Sequence, residues 1–193
     1  MRLNSHINKG NLKMKKFAIA ILSALSFGAF AADYVSVDVD NVLGRNGAKD
    51  STAQYIRAGK EIGGIQYGLQ GRTATLKDNS AILSSVEVTA AKNSLNVAGV
   101  TPFVGVGHDN GGSGYNYGLV GATYGLKAGP GFLLTGVKTR VGSTEVGART
   151  KQTVGFATYS IPVAKNVAFN LNASRSGQTI KENAFGVGLS FGF

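Results

Sequence analysis

From Tyr34 to Phe193, large apolar residues alternate with small or polar ones. The last segment shows this most plainly. Phe185, Val187, Leu189, Phe191 and Phe193 take every second position, with Gly186, Gly188, Ser190 and Gly192 between them. The same period recurs where Val35, Val37 and Val39 flank Ser36, Asp38 and Asp40. It recurs in Ile65, Tyr67 and Leu69, in Val86 and Val88 about Glu87, and in Val137 and Val141 about Lys138 and Arg140. It appears again in Val167, Phe169, Leu171 and Ala173. A period of two gives a strand one apolar and one polar face.

Turn-forming residues separate these runs. One set is longer and more polar, at 44–47, 77–80, 109–114, 142–145 and 176–178. The other is shorter, near 60–64, 92–96, 127–131 and 162–166. Strict alternation of the two sets predicts a meander with two distinct ends. Ten strands follow, at about 33–43, 52–60, 63–74, 84–92, 99–108, 115–126, 131–141, 151–161, 166–175 and 184–193. Misassigned connections at 60–64 and 92–99 would reduce the count to eight. An even count puts both termini at the short-turn end.

The first residues carry an address. Met14-Lys15-Lys16 is a basic start, Phe17 to Gly28 a short apolar run, and Ala29-Phe30-Ala31 a small-residue end. This is the pattern of a cleaved secretory signal. Residues 1–31 are therefore expected to be a signal peptide, with either Met14 the true start or residues 1–13 lengthening its basic region, and 32–193 the mature domain. Removal takes Arg2, Lys9, Lys13, Lys15 and Lys16 and no acidic residue. The formal charge then falls from +10 to +5. The basic character belongs in part to the discarded segment, which removes the main support for nucleic-acid binding.

Alternation also fits a water-soluble sandwich or barrel with its apolar face inward. Three features favour the opposite polarity. The chain has an export signal. Its strands match the ~9–11 tilted residues that cross a bilayer. Aromatics (Tyr34, Tyr55, Tyr115, Tyr117, Phe132, Tyr159 and Phe193) fall near strand ends, where an interfacial girdle would lie. The predicted fold is all-β: a transmembrane antiparallel up-and-down barrel, apolar outside and polar within. A closed barrel is the only kind of sheet that satisfies every backbone group in lipid. The 28 glycines, about twice the usual ~7% share, suit a crowded small-residue face.

On this parity Asp38, Asp40, Arg57, Arg72, Glu87, Lys138 and Arg140 point into the lumen. Asp38 or Asp40 is placed to meet Arg57, and Arg72 to meet Glu87. Buried charges must be paired or wet. Two readings result: a structural ion-pair network filling the barrel, or the charged constriction of a small pore. Inward Gly105, Gly107, Gly136, Gly186 and Gly188 would leave room for water. Lys60, Lys92, Lys127 and Lys165 sit near the short turns, within reach of anionic headgroups. The long loops carry Arg45, Lys49, Lys77, Arg149, Lys151, Arg175 and Lys181 against Asp50, Asp78, Asp109, Glu145 and Glu182. That mild basic excess suits lipopolysaccharide phosphates, sulfated polymers or a solvated mixed surface.

No catalytic, cofactor or metal site is expected. His108 is the mature chain's single histidine, and with Asp109 it supplies too few ligands for a metal. Ser113 and Glu145 lie in separate loops from it. Without cysteine there is no disulfide and no thiol nucleophile.

Residues 184–193 resemble the C-terminal targeting strand of bacterial outer-membrane barrels, which ends in an aromatic residue. Val100 to Gly107 resembles a recurring strand of the small outer-membrane barrel family that includes the opacity and attachment-invasion types. The resemblance implies Phe185, Val187, Leu189, Phe191 and Phe193 as an assembly signal. It also implies the barrel-assembly machinery and periplasmic chaperones as partners, outer-membrane lipids around the wall, and periplasmic termini. It implies no adhesion, because the family's adhesive residues lie in variable loops without a match here. The expected role is structural or surface-facing in a Gram-negative envelope. A narrow diffusion pore and a loop-borne adhesin, its host or surface ligand unspecified, are the alternatives.

Overall fold

The computed structural model describes residues 33–45, 49–78, 82–110, 114–144, 149–178 and 181–193. The predicted signal peptide lies outside the described residues. Ten strands form: β1 Tyr34–Gly44, β2 Ser51–Ile62, β3 Ile65–Leu76, β4 Ile82–Lys92, β5 Val100–Asp109, β6 Tyr115–Ala128, β7 Gly131–Thr144, β8 Arg149–Ala164, β9 Val167–Gln178 and β10 Glu182–Gly192. Each pairs antiparallel with its sequence neighbour, and β1 pairs with β10 from Tyr34↔Gly192 to Gly44↔Glu182. The sheet is a closed barrel of ten strands.

The two ends differ much as the turn residues predict, with one exception. Gly63-Gly64 turns the chain with both φ values positive (61° and 78°), the geometry of a two-residue hairpin that matches strand twist. Gly129-Pro130 and Lys165-Asn166 make the other two-residue turns. The exception is 93–99. A 3₁₀ turn at Asn93–Leu95 leads into Ala98 and Gly99, both at positive φ. The Asn96 carboxamide organises this turn, accepting from the Gly99 amide at 3.1 Å and donating to Thr101 Oγ1 at 2.7 Å.

Each end has an exposed carboxylate latch. At the terminal end Asp33 accepts the Glu61 amide at 2.7 Å and lies 3.2 Å from Lys60. At the loop end Asp50 accepts from Lys77 and from the Gly44 amide, both at 3.0 Å. These donors hold both carboxyls below the usual 3.8. Lys60, expected to face headgroups, is thereby engaged with Asp33.

The alternation resolves inside out. Phe185 is 59% exposed, and Val106, Val120, Leu171, Val187 and Leu189 are exposed beside it on the outer wall. The buried set includes Ser36, Asp38, Asp40, Glu87, Gln152 and Asn170. Three wall threonines are partnered: Thr139 and Thr153 join hydroxyls at 3.1 Å, and Thr135 donates to the Phe156 carbonyl. Such a wall suits hydrocarbon, where loose polar groups are costly.

Five of the seven girdle aromatics are on the inward register instead. Tyr34 alternates in step with Ser36 and Asp38, Tyr55 pairs with Asp38, Tyr115 and Tyr117 pair with Asp109 and Gly107, and Phe132 alternates in step with Lys138 and Arg140. Tyr115 and Tyr117 are buried and pack with Leu119 and Phe103. The inward glycines are seats for these rings. A Cβ at Gly107 would strike the Tyr117 ring, one at Gly121 the Phe103 ring, and one at Gly136 the Phe156 ring. A ring lying over a glycine on the next strand fills volume and pins register. The expectation that such glycines leave room for water is corrected on this point. A second apolar layer, Val42, Ala53, Ala74 and Ala184 with Leu83, lies inside near the loop end.

Candidate functional site

The predicted inward charges form two groups. In the first, Asp38 takes the Arg57 guanidinium and the Ser36 hydroxyl (3.1 Å) on one oxygen. Its other oxygen takes the carboxamides of Asn172 (2.8 Å) and Asn170 (3.4 Å). The asparagines stand on β9, and β10 lies between β9 and β1. Contact is made over Gly188, whose missing side chain leaves space for the Asp38 carboxylate, as Gly186 does for Asp40. Asp38 is 1% exposed. Four donors saturate a carboxylate that would otherwise be costly to bury.

Thr158 and Ser160 extend the ladder to β8 by donating to Asn172 and Asn170, each at 2.9 Å. Arg57 Nε also donates to Gln70 at 2.9 Å, and its guanidinium lies 4.5 Å from the Tyr55 ring centroid. Arg72 stands 5.9 Å from the same centroid. Asp40 is buried with one oxygen unpartnered, and Arg72 Nε is likewise unpartnered.

The second group centres on Glu87 of β4, which is 4% exposed. Lys138 binds one oxygen, and Arg140 binds the other through Nη2 at 2.7 Å and Nε at 3.1 Å. Both cations stand on β7, so the bridge spans the two strands between and crosses part of the lumen. Arg140 also donates to Gln152 at 3.3 Å and sits 5.0 Å from the Tyr117 ring centroid. The Tyr117 hydroxyl donates to Glu87 at 3.4 Å over Gly107 of β5.

The expected pairing of Arg72 with Glu87 is absent. Register sets Arg72 against Ser85 and Glu87 against Gln70, and Glu87 turns across the lumen instead. Two cations at once compensate a buried anion better than one. Sequence reasoning identified the charges but not their partners, because neighbour-strand logic does not reach three strands away. Asn170, Asn172 and Tyr117 were overlooked as members. Their alternation parity was visible, and it is the only signal that reveals them.

The strand-end histidine has no acid beside it. Adjacent strand residues face opposite sides. His108 therefore lies on the outer wall, 2.9 Å from Asn116 Oδ1, while Asp109 shares the inward register of Gly107. Ser113 and Glu145 lie outside the described residues. Among the described residues no cluster of three or more His, Cys, Asp or Glu could hold a metal. Phe185, Val187, Leu189, Phe191 and Phe193 all belong to the last segment. The Phe193 amide donates to the Asp33 carbonyl at 3.1 Å.

The closed antiparallel sheet, its oily wall and its charged interior define a transmembrane β-barrel. The translocator domain of the autotransporter NalP from Neisseria meningitidis shares the fold. Its TM-score is 0.51 at 11% identity, over 95% of this chain and 98% of that one. Neisserial surface protein A aligns at 0.43 and 14% identity, over 83% and 96%. The KdgM porin aligns at 0.39 and 14% identity, over 82% and 99%. No protein-family model and no curated protein sequence matches the chain.

Proposed function

We propose that the protein is a non-conducting outer-membrane barrel with a structural or surface-facing role in a Gram-negative envelope. The observation that carries this reading is the dryness of its interior charges. Asp38 and Glu87 lie inside the barrel almost without solvent exposure, Asp38 saturated by donors from β2 and β9 on either side and Glu87 by donors from β6 and β7. A water-filled channel would wet such groups, and its constriction would leave charge free for a permeating ion. Aromatic rings over glycines and the Val42 layer fill more of the bore. His108 and Asp109 face opposite sides, which supports a role without enzymatic chemistry.

In planar bilayers the purified barrel should show no steady conductance above baseline. Steady conductance that changes with Lys138→Glu or Arg140→Glu would establish the pore instead.

The reading includes periplasmic termini, lipopolysaccharide and outer-membrane lipids around the wall, and passage through chaperones and the barrel-assembly machinery. The likeness of residues 100–107 and 184–193 to the opacity and attachment-invasion type supports it. The alternating last strand and its exposed terminal Phe193 suit an assembly signal. Deleting Phe193 should lower the amount of heat-modifiable barrel in the outer membrane with little effect on secretion. Equal amounts in both strains would refute that role.

A further inference from the structure

Among the described residues, the ion pairs of the long-loop rim do not take up Arg45, Arg175 and Lys181. Lys49 lies 2.7 Å from Asp78 and Lys77 lies 3.0 Å from Asp50. Glu182 and Asp109 share the register of the inward face. Among the described residues, Arg45, Arg175 and Lys181 have no carboxylate within ion-pair distance. They come from the β1–β2 connection, β9 and the β9–β10 connection, and all three line one depression of about 430 Å³.

Register fixes where that depression lies. Arg175 pairs with Gly155, and Gly177 pairs with Thr153. These positions alternate with the inward Ser174, Ser176 and Gln152, so all four face outward. A side chain at Gly155 or Gly177 would meet nothing within 4 Å. The wall beside the cations is therefore bare.

Arg45 is held in place above this strip. Its amide donates to the Lys181 carbonyl at 2.8 Å and its Nη2 to the Ser176 carbonyl at 2.7 Å. Its Nε is buried without a partner. A buried donor of this kind calls for an acceptor that the described residues do not supply. A second depression on the wall, by Gly118 and between Val86, Val88 and Val106, has no Lys or Arg in its lining.

We propose that the rim of β8 and β9 binds the phosphate of an anionic lipid. Arg45, Arg175 and Lys181 clamp the phosphate by charge-assisted hydrogen bonds, and an acyl chain lies along the bare strip over Gly155 and Gly177. The proposal rests on the membrane placement above and specifies what the surface-facing role contacts. Cations at headgroup depth over a smooth apolar strip match an amphiphile, whereas a soluble anion would need only the cations.

The test is titration of the folded barrel in neutral detergent with diphosphorylated lipid A, with lipid A stripped of both phosphates, and with inorganic phosphate. Diphosphorylated lipid A should bind at least tenfold tighter than the stripped form. Arg175→Ala with Lys181→Ala should weaken it at least tenfold. Gly155→Leu with Gly177→Leu should weaken lipid A several-fold while leaving inorganic phosphate unaffected. Heat-modifiable mobility checks that each variant is folded. Equal affinity for the two lipids, or an unchanged double alanine variant, overturns the site. Inorganic phosphate binding as tightly as lipid A overturns the lipid assignment. None of these results alters the conductance measurement, so this site fails separately from the non-conducting reading.

Discussion

Glu87→Ala should destabilise the folded barrel by about 3–5 kcal/mol, the usual cost of removing one member of a buried charge group. Among the described residues, Glu87 is the carboxylate that pairs with Lys138 and Arg140, whose side chains are 11% and 12% exposed. Truncation leaves two buried cations side by side, with Gln152 still near Arg140 as an acceptor. It also strips the Tyr117 hydroxyl of its partner. Urea unfolding in lipid vesicles, followed by heat-modifiable mobility, measures the loss. The triple variant Glu87→Leu, Lys138→Met, Arg140→Met should recover most of it, because apolar replacement of a whole buried charge group is close to neutral. A change below about 1 kcal/mol for the single variant would show that water reaches the group and that the bore is open.

Gly188→Val should cost about 3 kcal/mol, through overpacking and a displaced carboxylate together. A Cβ there falls 2.6 Å from Asp38 Cγ, closer than atoms approach. Asp38 would have to leave Asn172 and Asn170, and the link from β1 to β9 would be lost. Gly71→Val is the matched control. It lies on the outer face of β3, where a Cβ meets nothing within 4 Å. It should leave the unfolding midpoint within ~0.5 kcal/mol of wild type. Equal effects of the two substitutions would mean that backbone propensity, not the Asp38 contact, explains the glycine.

The barrel was legible because period-two alternation survives in nearly every strand. Phe185 to Phe193 and Val35 to Val39 state both the strand and its two faces. Turn chemistry gave the ends, since Gly63-Gly64 and Gly129-Pro130 have the residues that tight hairpins require. The seven-residue connection at 93–99 was harder, because its shape comes from one asparagine side chain. Lumen charges could be named by parity, as Asp38 and Glu87 were. Their partners could not, because Glu87 to Arg140 is a contact across the bore. The tyrosines misled for a related reason. Tyr117 sits near a strand end in sequence, but its parity with Leu119, which pairs with the inward Arg140, sets it inside. The glycine facing it, Gly107, was the sign that a ring had to be housed.

The chain has no tryptophan, so a single introduced one reports alone. Leu189→Trp and Val106→Trp place the probe on the wall, and Tyr117→Trp places it inside. In vesicles of acyl-brominated phosphatidylcholine, the two wall probes should be strongly quenched and the Tyr117→Trp probe barely affected. Quenching of the Tyr117→Trp probe with the wall probes spared would contradict an apolar face turned toward lipid.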